Sequence, residues 1–134
     1  MAKIHNDKYY TPDSVVQKVI KVLEKDVMHI KEFSRIIEPS AGAGAFLKRL
    51  PKSAIGYDIE PQAENIIKGD YLKQNIPYMK NSLVIGNPPF GSGGNLHTEF
   101  IKKSMEHSDY VAFVLPGDMY KKDKLENIEL YKSY

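Results

Sequence analysis

The chain has no cysteine, which excludes disulfides, thiolate zinc sites and a cysteine nucleophile, and it permits a reducing compartment. It has only two arginines, Arg35 and Arg49, and arginine is the commonest reader of base edges because its planar fork donates two parallel hydrogen bonds. Strong sequence readout of nucleic acid is therefore not expected of this chain alone. Nineteen basic residues against seventeen acidic leave a net charge of +2, too weak a field to argue by itself for a polyanionic partner. No run approaches the roughly 18 apolar residues of a membrane span, and residues 1–10 lack the apolar centre of a signal peptide. A soluble, cytoplasmic protein with no membrane partner is expected. The four histidines, His5, His29, His97 and His107, stand without metal-ligand spacing, and there is no His-Glu-x-x-His or Ser-His-Asp order. No metal site is expected.

What is present is one domain's worth of chain, residues 1–134, with 42% apolar residues and no repeat, linker or low-complexity tract. Thr11-Pro12-Asp13 reads as a helix start, with a hydroxyl N-cap and proline at the first helical position. Val15, Val16, Val19, Ile20, Val22 and Leu23 then share one helical face to about Lys25. Apolar runs at 35–37, 54–59, 66–67, 83–85 and 110–115 read as strands. Short helices are expected at 46–50 and 61–65, a longer one through Leu96, Phe100, Ile101 and Met105, and a helical tail over 117–134. Continuously apolar strands separated by helices are buried on both faces, which implies a mostly parallel sheet in a three-layer α/β sandwich. The core spans 35–116, preceded by a segment at 8–25.

Ligands of such folds sit beyond the carboxyl ends of the strands, and polar or glycine-rich clusters follow every strand here. They are Glu38-Pro39-Ser40-Ala41-Gly42-Ala43-Gly44, Asp58-Ile59-Glu60, Gly69-Asp70-Tyr71, Gly86-Asn87-Pro88-Pro89-Phe90 and Pro116-Gly117-Asp118. The Gly42-x-Gly44 turn lets backbone approach a ligand, although a tight packing turn would look the same. A dinucleotide fingerprint would need a third glycine where Leu47 stands. Asp58 ends the next strand where α/β folds hold ribose hydroxyls, and Asp70 is placed to accept from an exocyclic amine. Together these suggest an adenosine pocket. In Asn87-Pro88-Pro89-Phe90 the paired prolines hold the backbone extended. The Asn87 side-chain carbonyl and the Pro88 carbonyl are then two fixed acceptors suited to an NH2 group, with Phe90 suited to a planar base. The alternative is a rigid turn with Phe90 in the core. Lys102-Lys103 and Lys121-Lys122-x-Lys124 suit phosphates, but the acids interleaved with them favour a solvated helix face. Residues Gly91 to Gly94 suit either a lid or a slack loop.

These motifs resemble those of the S-adenosylmethionine-dependent N6-adenine DNA methyltransferases, the amino-methyltransferases with an Asn-Pro-Pro-Phe tetrapeptide. Tyr9-Tyr10-Thr11-Pro12 resembles the segment that closes over the methionine end of the cofactor. The run from Glu38 through Pro39, Ser40, Ala41 and Gly42 to Gly44 resembles the cofactor loop. Gly56-Tyr57-Asp58-Ile59-Glu60 resembles the ribose motif, Gly69-Asp70-Tyr71 the adenine motif, and Asn87-Pro88-Pro89-Phe90 the catalytic motif. The resemblance implies a Rossmann-like class I methyltransferase fold and S-adenosyl-L-methionine as cofactor, with Asp58 on the ribose hydroxyls and Ile59 against the adenine. It implies methylation of a flipped or single-stranded adenine held by Asn87, the Pro88 carbonyl and Phe90, with DNA favoured over RNA and a restriction-modification setting. RNA adenines and protein glutamines are methylated by relatives with the same tetrapeptide, and a partner-dependent, non-catalytic subunit is the alternative of another class. The family usually closes its sheet with an antiparallel hairpin after the fifth strand. With a helical tail in that place, this sheet is expected to lack the last two strands. Its open edge would then be covered by a homodimer or a companion subunit.

Overall fold

The structure is a computed structural model that describes residues 3–4, 8–9, 11–89, 96–115 and 128–132. Two short strands, β1 (Lys3–Ile4) and β2 (Lys8–Tyr9), pair antiparallel. Helix α1 (Asp13–Asp26) follows, with Val16, Val19 and Leu23 buried on one face at the three- and four-residue spacing that its sequence dictates. Its start differs from expectation. Pro12 occupies the N-cap position with extended backbone and Asp13 is the first helical residue, so Thr11 does not cap the helix. The Asp13 carboxylate instead accepts from Gln17 one turn on and from the Arg49 guanidinium, at 2.5 and 2.8 Å.

The main sheet contains β3 (Ile36–Glu38), β4 (Ile55–Asp58), β5 (Ile66–Lys68), β6 (Met79–Gly86), β7 (Ser108–Val114) and β8 (Ile128–Lys132), in the order β5-β4-β3-β6-β7-β8. The first five strands in chain order run parallel, and β8 pairs antiparallel with β7, Ala112 opposite Leu130. Residues 128–132 are therefore strand, not part of a helical tail, and the sheet expected to stop at five strands has six. The edge of β7 offers unpaired backbone groups, and Ile128-Glu129-Leu130 carries the apolar-charged alternation that a strand can use as readily as a helix uses Leu125, Ile128 and Tyr131. Residues 116–127 lie outside the described residues. The short helix expected at 46–50 is a single 3-10 turn, Leu47–Arg49, closed by Pro51, and residues 61–65 form turns and bends without a helix.

Successive side chains of a strand face opposite sides, and here they feed two separate clusters. Ile36, Leu83, Ile85 and Ala112 pack with Val16, Val19 and Leu23 of α1 and with Phe46 and Leu50. Ile37, Val84, Val111 and Phe113 pack with Tyr71 and with Phe100 of α2 (Leu96–His107). One helix on each face of a mostly parallel sheet is the three-layer α/β sandwich that the sequence predicts.

A buried polar network joins α2 to the second face. The Tyr71 hydroxyl lies 2.8 Å from Ser104 Oγ and 2.5 Å from His107 Nε2, while Ser108 Oγ is 2.9 Å from His107 Nδ1. Arg35 donates to the carbonyls of His107 at 2.8 Å and Pro77 at 2.9 Å. Burial, the Arg35 charge and then Lys103 push the His107 pKa down to about 4, and burial raises that of Tyr71.

Candidate functional site

Chain direction locates the site before any side chain is considered. From β3 the chain steps outward through β4 and β5, then returns to the other side of β3 as β6 and continues to β7. The strand order therefore reverses between β3 and β6, and a crevice opens beyond their carboxyl ends at such a switch point. β3 ends on Glu38 and leads into the glycine loop. β6 ends on Gly86 and leads into Asn87-Pro88-Pro89. The two most informative motifs of the sequence are thus neighbours across one strand pair.

The glycine loop is held by backbone bonds and by one carboxylate. Gly42 and Gly44 take positive φ values of 56° and 88°, open to glycine at little steric cost. Ala41 N–H donates to the Tyr57 carbonyl and Gly44 N–H to the Ala41 carbonyl, both at 2.8 Å. Asp58 is 7% exposed. Its Oδ2 accepts from Gly42 N–H and its Oδ1 from Glu60 N–H, both at 2.8 Å. The carboxylate read from the sequence as a ribose ligand is thus tied to the glycine loop through the Gly42 N–H. The loop runs into a 3-10 turn of three residues, so no helix N-terminus stands behind it to bind an anion.

Glu38 is 2% exposed and lies across Gly86, where an added Cβ would come 3.1 Å from Glu38 Cγ. Burial, and then the negative charge of Asp58, raise its pKa well above the ordinary carboxylate value, against a lowering hydrogen bond from the Leu47 backbone. Its Oε1 has no hydrogen-bond partner among the described residues. A buried acceptor left without a partner costs about 1–3 kcal/mol, and a ligand that donates to it would recover this. Pro39 and Ala41 are buried beside it.

On the β6 side, Pro88 is buried and Asn87 and Pro89 are half-buried. The Asn87 carbonyl accepts from Ser40 Oγ at 3.0 Å, and Asn87 Nδ2 donates to Thr11 Oγ1 at 3.3 Å. Thr11, Ser40 and Asn87, read from three separate motifs, meet at one point. No pattern in the sequence signalled these two contacts.

The remaining candidates divide. Ile59, just past β4, is 62% exposed, an uncovered apolar side chain at the ligand end of the sheet. Asp70 accepts from Leu72 N–H at 3.0 Å and caps the 3-10 turn Tyr71–Lys73, which occupies one of its oxygens. The Tyr71 ring is 1% exposed and packed in the core against Phe100, with the hydroxyl in the His107 network. Tyr10, Phe90 and Gly91 to Gly94 lie outside the described residues. Among the described residues, no three metal-ligating side chains come together and no helix is long and apolar enough to cross a membrane.

No protein-family model and no curated protein matches the chain. Among solved structures, the chain is similar to a Pyrococcus horikoshii protein described as a "putative RNA methyltransferase", with a TM-score of 0.62 and 21% identity, over 90% of this chain and 72% of that one. A Thermoplasma acidophilum structure, number 1320, aligns over 78% of this chain and 70% of that one, with 20% identity and a TM-score of 0.43. The first likeness, with the strand order above, shows that the chain has an α/β Rossmann-like fold, shared with that neighbour.

Proposed function

We propose that the chain transfers a methyl group from S-adenosylmethionine to the exocyclic N6 amine of an adenine in DNA, with the base flipped out or single-stranded. The observation that carries this reading is the meeting, at the switch point, of Asn87-Pro88-Pro89 with the buried Glu38, whose Oε1 has no partner among the described residues. The residues suited to hold the cofactor are Glu38 and the loop from Ser40 to Gly44 on one side, and Asp58 and Ile59 on the other. Glu38 Oε1 would accept from an ammonium, and Ile59 would cover a planar base. When bound, S-adenosylmethionine supplies an electrophilic methyl on a sulfonium.

The rest of the chemistry belongs to the chain. An adenine N6 amine is a poor nucleophile because its lone pair is delocalised into the ring. Accepting that amine's hydrogens at Asn87 Oδ1 and the Pro88 carbonyl draws the nitrogen toward tetrahedral geometry and localises the lone pair. Fixed acceptors in a water-poor cleft supply catalysis by position and electrostatics, and the cationic methylated nitrogen is acidic enough to release its extra proton to water, so no strong base is required. Phe90, next in the motif, is the stacking partner for the base. RNA is the second reading, favoured by the description of the Pyrococcus neighbour. Protein glutamine is a third substrate to be scored.

Calorimetry tests the cofactor half of the reading. S-adenosylmethionine is expected to bind the wild-type chain and Asn87→Ala with similar affinity. Absence of binding to the wild-type chain would sink the proposal. If binding holds but no DNA, RNA or protein is methylated, the chain is the cofactor-binding subunit of a larger enzyme.

A further inference from the structure

An asparagine amide has an acceptor at one end and donors at the other, and exchanging them by a half-turn barely changes its shape. Only the Oδ1 end can receive an amine. With Nδ2 turned into the cleft, two donors would face each other and the acceptor would be lost. An enzyme that works through an asparagine therefore needs that amide held in one place and plane.

We infer that Thr11 and Ser40 are positioning residues that orient Asn87, Thr11 by holding its side-chain nitrogen and Ser40 by fixing its peptide plane. This deepens the proposed amine-methylating reading and rests on it. Asn87 Nδ2 donates to Thr11 Oγ1 at 3.3 Å, a contact across 76 residues of sequence. That bond holds the Asn87 amide in one rotamer and plane; because a hydroxyl can accept or donate, what Thr11 sets is the position of the amide. The Ser40 hydroxyl donates to the Asn87 main-chain carbonyl at 3.0 Å. That carbonyl precedes Pro88, whose ring nitrogen carries no hydrogen, so the Ser40 bond is what ties this peptide to the loop across the crevice. Ser40 stands in the glycine loop, so the same loop that would hold the cofactor also fixes the catalytic backbone. Thr11 stands between β2 and α1, the place where its hydroxyl was expected to cap the helix. The helix leaves that hydroxyl free by taking Pro12 as its N-cap.

The test compares Thr11→Val, Thr11→Ser and Ser40→Ala with the wild-type chain. Thr11→Val keeps the shape and removes the hydroxyl. Its kcat should fall about tenfold, the value of one ordinary hydrogen bond, while KM for S-adenosylmethionine stays within about twofold and Thr11→Ser restores kcat. Ser40→Ala should lower kcat as well, with a rise in KM for S-adenosylmethionine beside it because Ser40 stands in the loop proposed to hold the cofactor. A KM that rises in Thr11→Val with kcat unchanged would make Thr11 a cofactor contact only and overturn the inference. A readout independent of turnover is the Asn87 side-chain NH2 signal in a nitrogen-15 correlation spectrum. It should move in Thr11→Val and return in Thr11→Ser, and a signal indifferent to both refutes the contact. Asn87→Ala separates the two levels. If Asn87→Ala is inactive while Thr11→Val and Ser40→Ala keep full kcat, only the positioning roles fail. If Asn87→Ala still methylates, the catalytic reading itself fails.

Discussion

Replacing Asp58 by alanine separates two roles that one carboxylate could play. In the structure it accepts the Gly42 and Glu60 N–H groups, each at 2.8 Å, from a position only 7% exposed. Hydrogen bonds to a charged group are worth about 1.5–3 kcal/mol each, so these two together are worth at most about 6 kcal/mol. Glu60 is exposed, and water can replace most of what its N–H loses. Gly42 is half-buried and at positive φ, and its loop loses the anchor that holds it open. The net loss should be about 2–4 kcal/mol, which a domain of ordinary stability survives. Urea unfolding should show a lower midpoint with an unchanged slope, and calorimetry should show S-adenosylmethionine affinity reduced by more than tenfold. Asp58→Asn keeps the shape but sets an NH2 against one of the two N–H donors, so it should fall between wild type and alanine. An Asp58→Ala chain as stable as wild type but unable to bind cofactor would refute the loop-tie reasoning and leave a carboxylate that serves the ligand alone.

Three further outcomes follow from buried groups elsewhere. His107, its pKa held down to about 4 by burial and by the Arg35 and Lys103 charges, is neutral when folded but takes a proton below its ordinary pKa of 6.5 when unfolded. Its contribution is therefore whole above pH 6.5 and is lost as pH falls toward 4, by up to about 3 kcal/mol; His107→Gln should flatten the acid limb of a stability-against-pH curve. Glu38 has the opposite sign. Its pKa is raised by burial and by Asp58, so folding loses stability as pH climbs past the ordinary carboxylate range. Glu38→Gln should be relatively more stable at alkaline pH in thermal melts while binding S-adenosylmethionine more weakly. At Gly56 a new Cβ would come 2.5 Å from Leu47 Cδ1 and 3.0 Å from Ala41 Cβ, so Gly56→Ala should lower stability by about 1–3 kcal/mol through overpacking under the glycine loop, read as a shift in the denaturation midpoint.

The parallel strands were legible because burial on both faces leaves a continuous apolar run. Ile36 and Ile37 face opposite clusters, yet both must be apolar. The first half of β6 was not legible: Met79, Lys80 and Asn81 are exposed and owe their strand conformation to pairing with Ser108, with an irregular register before Leu83. Asn81 has positive φ there, and its N–H donates to Asp109, a contact set by the tertiary fold. Residues 128–132 were misread because Leu125, Ile128 and Tyr131 satisfy a helical period, and no local signal revealed that the edge of β7 was waiting for a partner.

At the site, the sequence placed Glu38, the glycine loop, Asp58 and Asn87-Pro88-Pro89 at the ends of the right strands, since strand ends are where polar residues interrupt apolar runs. It could not show how they meet. That Asp58 accepts from the Gly42 and Glu60 N–H groups could not be read, since backbone donors leave no mark in a sequence. Nor could it show that after β5 the chain carries the Tyr71 ring to Phe100 and His107. The contacts of Thr11 and Ser40 with Asn87 join residues 76 and 47 positions apart, beyond the reach of any periodicity.

The claim that this chain methylates adenine through Asn87 is tested most directly by nucleoside analysis of DNA incubated with the chain and S-adenosylmethionine carrying a labelled methyl group. The account predicts label in N6-methyladenine with the wild-type chain and none with Asn87→Ala. Label found only in RNA or protein, or equal label from both chains, would contradict it.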